Sequence, residues 1–320
     1  MVTPAKRKNS SKAGLSVKRK PRPASKPLKN LFGWITVFAA ILLIAGALLI
    51  RWFPPEKLNP SVAKTDHAKS GLYEIYPAEP QPPPADVIKP PIIHPPSGLP
   101  RAAIIFDDMG ADIRAAQRLS NLGCPLTFSI LPYSSHRMDV IDLAKASGIG
   151  LMAHIPMEPI EYPRIKPGTG ALFVRMEPEE LVSQLSNDIG DLPDIQGINN
   201  HMGSRLTSNP VQMERVLAII HAKHLFFVDS RTTPNSVARA AAKLLQVPFA
   251  QRDVFLDHLV EKGAIRAQVV RFIETAQRNG SAIAIGHPHE ETIAVLEEQM
   301  ATIRKSVILV PVSELVAVPR

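Results

Sequence analysis

The sequence has little cysteine: Cys124 is the only one in 320 residues. A single thiol excludes an internal disulfide and a zinc cluster built from cysteines, and it suits a secreted protein that avoids thiol chemistry. Cys124 stands between Gly123 and Pro125, in what reads as a turn from a helix to a strand. This position argues against a catalytic cysteine.

Acidic residues are absent from the first 50 positions, where ten Lys or Arg all precede residue 31. Residues 101–320 hold 22 Lys and Arg against 24 Asp and Glu, so the net charge of +8 belongs to the N-terminal tail. The folded part therefore gives no reason to expect nucleic-acid binding.

Charge is also absent from residues 31–50, which are rich in Leu, Ile and Ala. Twenty residues at about 1.5 Å each cross a hydrocarbon layer of about 30 Å. Trp34 and Trp52 lie near the two ends, where indoles favour the membrane interface. Because the basic tail precedes the run, we predict a cytoplasmic tail at 1–30 and a single inner (cytoplasmic) membrane anchor at 31–50, with the rest of the chain in the periplasm or otherwise outside the cytoplasm. A cleavable signal peptide is the alternative, but the run is long and no small-residue cleavage site follows it.

Residues 51–100 are unsuited to helix or central strand, because 13 prolines lie between positions 54 and 100. Such a segment is extended at about 3.1 Å per residue, so we predict a linker that acts as a stalk. A proline-rich ligand for a partner domain is the alternative.

From residue 101 onward, short apolar runs alternate with amphipathic stretches. The strand-like runs are 102–108, 126–131, 150–156, 197–201, 225–230, 249–256, 282–286 and 307–312. The helix-like stretches are 112–122, 177–189, one that opens at 209, 236–245, 264–278 and 290–303. This alternation predicts an α/β fold with a mostly parallel sheet, and seven or eight units favour a TIM-like (β/α) barrel at 101–320. An open doubly wound sheet is the alternative.

Two adjacent acids, Asp107 and Asp108, end the first apolar run. A carboxylate in a dry interior needs a partner, a metal or a proton, so this pair indicates a functional site. The plainer interpretation is that one acid caps the next helix and the other is solvated.

Polar residues end most of the other predicted strands as well. They are His154, then Asn199, Asn200 and His201, then Asp229, Ser230 and Arg231, then Arg252, Asp253 and Asp257, and finally His287 and His289. The carboxyl ends of barrel strands share one face, which is where barrel enzymes build their active sites. We therefore predict one pocket that contains these side chains.

Carboxylate and imidazole together suit zinc or a similar divalent ion. Asp108, His154 and His201 can supply three ligands and leave a position for water. Each histidine also has a plainer interpretation: a hydrogen-bonded core residue for His154, and a loop contact for His201. His289 fits a position beside a helix N-cap, and His221 and His224 fit solvated helix ends.

Five segments together resemble the divergent polysaccharide deacetylases: Ile104–Gly110, His154–Pro159, Asn199–Ser204, Phe227–Arg231 and Gly286–Pro288. The resemblance covers residues 100–318 and implies a distorted (β/α) barrel. It also implies that Asp107 is the catalytic base, that Asp108 is a metal ligand and that His287 is the catalytic acid. The polysaccharide deacetylases have a second ligand histidine four residues after the first, but here that position is Glu158. His201 or Glu158 takes its place.

The function implied is metal-assisted removal of acetyl groups from an envelope polysaccharide or peptidoglycan-type glycan. Asp229 would orient a histidine, and Arg231, Arg205 and Asn200 would bind substrate. One alternative is a metal-free glycosidase that uses Asp107 and Asp229 as a carboxylate pair. The other is an envelope sugar-binding or scaffold protein with a degraded site, because fold does not guarantee function.

Overall fold

The structure, a computed structural model, describes residues 98–320. The predicted tail and membrane anchor, and nearly all of the predicted linker, lie outside the described residues. Among residues 98–320, no helix combines the length and the apolar composition that a membrane span needs.

Nine strands and seven α-helices alternate along residues 98–320. The strands are β1 (Arg101–Met109), β2 (Thr127–Ile130), β3 (Gly150–Met157), β4 (Gly197–Met202), β5 (Phe226–Asp229), β6 (Phe249–Gln251), β7 (Val254–Phe255), β8 (Ser281–Gly286) and β9 (Ile308–Leu309). The helices are α1 (Ile113–Ser120), α2 (Arg137–Ala146), α3 (Pro178–Gly190), α4 (Pro210–Ala222), α5 (Ala238–Leu245), α6 (Lys262–Asn279) and α7 (Glu290–Ser306), followed by a 3₁₀ helix at Val312–Glu314.

One parallel sheet contains all of these strands, in the order β6-β5-β4-β3-β2-β1-β8-β7, with β9 beside β1. A doubly wound sheet reverses its strand order at a switch point, whereas here β1 to β6 follow one another without reversal. The fold is therefore a curled parallel α/β sheet that fits a distorted (β/α) barrel, and the doubly wound alternative is wrong.

The two ends of this sheet are joined by one short piece of chain. β6 and β7 are separated by only Arg252 and Asp253. The Arg252 N–H donates to the Asp229 carbonyl at the end of β5 (2.9 Å), and the next N–H, that of Asp253, donates to the Ile283 carbonyl in β8 (2.9 Å). The predicted single strand 249–256 is therefore two short strands, because each half pairs with a different neighbour.

Two apolar clusters lie on opposite faces of the sheet. The larger packs between the sheet and the helices and includes Ile104 and Phe106, whereas the inner cluster includes Ala103 and Ile105. This alternation follows the two-residue period of a strand. Met152 in β3 and Ile285 in β8 also face inward, and the next inward positions along these strands are His154 and His287. The inner face is thus apolar through the barrel and polar at the carboxyl ends of its strands.

Helix α2 was absent from the sequence prediction. Its N-cap residue, His136, makes no capping hydrogen bond through its side chain, so the usual Ser, Thr, Asp or Asn start signal is missing. The helix is nevertheless packed onto the sheet through Val140, Ile141 and Ala144. Tertiary packing accounts for this helix better than local start signals do.

Candidate active site

The end of β1 brings two consecutive carboxylates to one place. In a regular strand, neighbouring side chains point to opposite faces. Asp108 instead has a φ of +55°, and the pairing of β1 with β2 shifts register between Phe106 and Met109. Asp tolerates this left-handed conformation better than most residues do. As a result both acids approach His154: Asp107 Oδ2 lies 3.7 Å from its Nδ1, and Asp108 Oδ1 lies 3.3 Å from its Nε2.

Asp108, His154 and His201 form a compact triangle of possible ligand atoms. His201 Nδ1 lies 3.0 Å from Asp108 Oδ1 and 3.2 Å from His154 Nε2. Zinc bound tetrahedrally at about 2.0–2.1 Å separates its ligand atoms by about 3.3 Å. The three side chains therefore match the spacing of a divalent metal site without rearrangement.

Two buried atoms beside this triangle have no hydrogen-bond partner within residues 98–320. They are Asp107 Oδ2 and His287 Nε2. Buried polar atoms without partners are rare in folded proteins and call for a ligand, an ion or water. Their convergence is a second observation, separate from the spacing, that fits a cation and a polar substrate.

Asn199 forms hydrogen bonds with both Asp107, the candidate catalytic base, and His154, a candidate metal ligand. Its Oδ1 accepts hydrogen bonds from His154 Nδ1 (2.7 Å) and from the Ser129 hydroxyl (2.5 Å), and its Nδ2 donates to Asp107 Oδ1 (2.7 Å). A proton on His154 Nδ1 makes Nε2, the nitrogen that faces Asp108 and His201, the one that would bind a metal. This is the orientation that a metal-binding imidazole needs.

His287 is oriented by Asp257, one of the predicted strand-end residues. Asp257 Oδ1 lies 3.1 Å from the ring nitrogen Nδ1 of His287. Asp257 Oδ2 accepts hydrogen bonds from the backbone N–H of His287 and from the Thr292 hydroxyl, both at 2.7 Å. Burial lowers the pKa of His287, but the charges of Asp257, Asp108 and Asp107 outweigh it and raise the pKa to about 9. The raised pKa favours the imidazolium, whose Nε2 lies 3.9 Å from Asp108 Oδ2.

The surroundings shift the pKa values of the adjacent acids Asp107 and Asp108 in opposite directions. Burial raises the pKa of Asp107, and the opposing effects of His154, His287 and Asn199 do not cancel it. Burial also acts on Asp108, but His201 and His154 outweigh it and hold the pKa well below its usual range. A carboxylate that stays ionised suits a metal ligand, and one with a raised pKa suits a proton acceptor.

A second group, formed by Asp257, His287 and His289, also brings possible ligand atoms within 4.8 Å of one another. It shares His287 with the site already described. His289 is the N-cap residue of α7, and burial lowers its pKa.

Two of the predicted residues lie apart from the triangle. Asp229 is buried, and its carboxylate accepts hydrogen bonds from the Arg231 N–H (2.8 Å) and from Ser236. Asn199 contacts His154 and Asp257 contacts His287, and the orienting role of Asp229 stays a prediction. Glu158 Oε2 accepts from the Val174 N–H (2.7 Å), and Oε1 lies 3.5 Å from the Arg205 guanidinium. The triangle therefore contains His201, and Glu158 anchors the loop that follows β3.

The three residues predicted to bind substrate occupy different surroundings. Asn200 is fully buried, donates to the Met202 carbonyl (2.8 Å) and accepts from the Ser230 N–H (2.9 Å). The Arg205 guanidinium donates to the Ile160 carbonyl (2.6 Å), and Arg231 has a φ of +56° directly after β5. A groove of about 460 Å³ opens over the site, and all three residues lie outside its described lining. It is lined by Asp108, Ala111, Leu131, Pro132, Tyr133, Ser134, Pro156, Pro167, Gly168, Thr169, His201, His287, Pro288 and His289.

The sequence of residues 104–316 matches the family model described as divergent polysaccharide deacetylase. The chain belongs to the divergent polysaccharide deacetylase family. This confirms the family resemblance, and the characteristic segments lie at the carboxyl ends of β1, β3, β4, β5 and β8.

Two bacterial relatives of this deacetylase family member are described as uncharacterized. The Escherichia coli (strain K12) protein YibQ is 34% identical over 220 residues, which are 69% of this chain and 68% of YibQ. A Haemophilus influenzae protein is 32% identical over 215 residues, which are 67% of this chain and 76% of its own length. The crystal structure of ATU2773 from Agrobacterium tumefaciens has the same fold, with a TM-score of 0.65 and 24% identity over 69% of this chain and 92% of that one.

Proposed function

We propose that this protein is a metal-dependent hydrolase that removes acetyl groups from a polysaccharide or peptidoglycan-type glycan of the cell envelope. The observation that carries the proposal is the meeting of the Asp108–His154–His201 triangle with Asp107 on one side and His287 on the other. Membership of the deacetylase family supports the same reaction class.

Asp108, His154 and His201 would hold the divalent ion, for which we propose zinc. When bound, such an ion polarises an acyl oxygen and lowers the pKa of water from about 16 toward about 7. Asn199 holds His154 in the tautomer that binds the ion, and it holds Asp107 beside it.

Asp107 accepts the proton of the attacking water, whose oxygen forms a bond to the acyl carbon. The protonated His287 gives its Nε2 proton to the sugar nitrogen as the C–N bond breaks, or to the sugar oxygen when the acyl group is an ester. Asp257 stabilises the charged imidazole and fixes its orientation. The products are acetate and the free amine or hydroxyl of the sugar.

Asn200 has both ends of its amide engaged with backbone, so we assign it a positioning role between β4 and the end of β5. Arg205 and Arg231 remain candidates for contact with an anionic part of a long glycan beyond the groove. Asp229 and Ser236 shape the turn that carries Arg231.

We also propose that residues 31–50 anchor the chain in the inner membrane with residues 101–320 in the periplasm. The support is the charge-free run after a basic tail. Protease added to spheroplasts should digest the folded part while the tail stays protected. Digestion only after lysis would place the folded part in the cytoplasm and overturn this proposal.

The full chain, loaded with zinc, should release acetate from N-acetylated cell-wall glycans. We expect Asp108→Ala and His154→Ala to lose both the bound ion and acetate release, and Asp107→Asn to keep the ion and lose acetate release. Wild-type protein that binds zinc but releases acetate from no glycan would favour the scaffold alternative. Glycan cleavage without any bound metal would favour the glycosidase.

A further inference from the structure

Tyr133 lines the same groove as Asp108, His201 and His287, but it has no role in the proposed reaction. It lies in the loop between β2 and α2, and 39% of its surface is exposed. Large aromatic side chains at the mouths of binding grooves supply contact area at a low cost in conformational entropy.

The backbone of Tyr133 is held in an unfavourable conformation. Its φ is +61°, a left-handed value that is uncommon for a bulky residue and that persists only where the surroundings impose it. The Tyr133 N–H donates to Asp191 Oδ2 (2.7 Å), and Arg137 donates to the other oxygen of Asp191 (2.8 Å). An ion pair between α2 and the end of α3 therefore fixes this part of the loop.

The Tyr133 ring lies beside Gly170 and Asp188. Asp188 is a fully buried carboxylate of α3 whose Oδ1 accepts a hydrogen bond from Gln184 Nε2 (2.8 Å). A Cβ on Gly170 would lie 3.0 Å from Tyr133 Cε2 and 2.6 Å from Asp188 Oδ1. Glycine at position 170 thus leaves room for both the ring and the carboxylate.

These contacts determine what Tyr133 offers to a ligand. Tyr133 lines the groove with a large ring, and its backbone is already fixed by Asp191. Pro132, Pro167 and Gly168 continue this wall, and His287, Pro288 and His289 also line the groove. An apolar wall beside polar catalytic groups fits a ligand with one apolar face and several hydroxyls, which is the chemistry of a pyranose ring.

We propose that Tyr133 is a specificity-determining residue on which one sugar ring of the substrate packs. The inference rests on the proposed deacetylase function and names the group that would select its substrate. The fixed backbone means that little ordering of this loop is needed when the sugar binds.

The test is oligosaccharide binding by the zinc-loaded full chain carrying Asp107→Asn, which prevents turnover. The probe is a linear tetramer of N-acetylglucosamine, measured by isothermal titration calorimetry. We expect Tyr133→Leu to weaken binding by tenfold or more, and Tyr133→Phe, which keeps the ring, to weaken it by less than Tyr133→Leu. Ile160→Ala is the matched control, because Ile160 is an exposed apolar residue of another loop on this face and lies outside the groove lining.

The zinc content and the circular dichroism spectrum of each variant show whether the site and the fold are intact. Equal binding by Tyr133→Leu and its Asp107→Asn parent would overturn the role of Tyr133 and leave the deacetylase proposal standing. Failure of the parent to bind either this tetramer or acetylated cell-wall fragments would overturn both. Loss of binding in Tyr133→Leu with normal zinc content and an unchanged spectrum would support the inference.

Discussion

At the scale of single residues, the third metal-ligand candidate comes from a neighbouring strand. Glu158 stands four residues after His154. It accepts a hydrogen bond from the Val174 N–H and forms an ion pair with Arg205. His201 lies close to His154 because Pro156 of β3 pairs with His201 of β4. From the sequence, His201 and Glu158 are alternatives for this ligand, because the spacing of residues along the chain does not specify the register between strands.

The first prediction separates these two residues. His201→Ala removes one of the three convergent atoms, so we expect zinc affinity to fall by about 100-fold or more. Glu158→Gln, the matched control, keeps an oxygen that can accept from the Val174 N–H and should leave zinc affinity unchanged. Competition with a chromogenic chelator measures both affinities, and the reverse result would return the ligand role to Glu158.

Asp188 gives a prediction about stability and pH. Burial raises the pKa of Asp188 from 3.8 to about 6, although the hydrogen bond from Gln184 and the nearby Tyr133 side chain oppose the rise. The native state therefore holds this proton longer than the unfolded chain does, and folding loses stability as the pH rises from about 4 to about 6. Asp188→Asn removes that loss. The amide gives up part of the hydrogen bonding that the carboxylate accepts from Gln184, so we expect a gain of only about 1 kcal/mol in the free energy of unfolding at pH 7.5 and no gain at pH 4.

Urea unfolding at the two pH values measures the effect of Asp188→Asn. An equal gain at both values would show that ionisation of Asp188 is not its cause. Asp194→Asn is the matched control, because Asp194 is an exposed carboxylate paired with Lys145 and should change stability little at either pH.

At the scale of secondary-structure elements, the sequence predicted most strands and helices but not their irregularities. The strand-like runs and strand-end polar residues were visible from alternation and from side chains that interrupt apolar stretches. The turn at Asp108, which brings both acids to one side, depends on a φ of +55° that residue type alone does not specify. The roles of Asn199 and Asp257 were missed for a related reason. Both are visible as polar strand-end residues, but their partners lie on other strands.

Gly197 at the start of β4 gives a prediction at this scale. A Cβ at this position would lie 2.2 Å from the ring of Phe226, which belongs to β5 and packs in the inner cluster. Gly197→Ala therefore forces a bulky side chain or a strand to shift, and we expect a loss of about 2–3 kcal/mol in the free energy of unfolding.

Gly263→Ala provides the comparison for Gly197→Ala. Gly263 lies in the first turn of α6 with nothing within 4 Å of its added Cβ, so alanine should stabilise by about 0.5–1 kcal/mol. Chemical denaturation of the two variants gives both values. A loss in Gly197→Ala no larger than 0.5 kcal/mol would mean that β4 and β5 adjust freely.

At the scale of the whole molecule, the parallel sheet and its polar carboxyl edge followed from the sequence, because βα alternation leaves few ways to arrange the strands. The proposed metal site belongs to this scale, since its three side chains come from β1, β3 and β4. An ion that binds only the native arrangement stabilises the whole fold by mass action.

Zinc should therefore raise the melting temperature of the metal-free full chain. At a free concentration of about 100 times the Kd the gain is about 2.7 kcal/mol, which corresponds to several degrees for a folded part of this size. Differential scanning calorimetry with and without zinc measures the shift. His154→Ala should show none, and an equal shift in that variant would place the stabilising ion elsewhere.

Amide exchange at the junction between β6 and β7 should report separation of the two ends of the sheet. The amides of Arg252 and Asp253 are neighbours in the chain, yet their acceptors lie in β5 and β8, near the two ends of the sheet order. If these ends separate, the two amides should lose protection from solvent as a pair. We expect hydrogen–deuterium exchange at 252 and 253 to proceed at similar rates, and both to slow when zinc binds. Asp257 follows four residues later, so the same opening would also displace the carboxylate that orients His287.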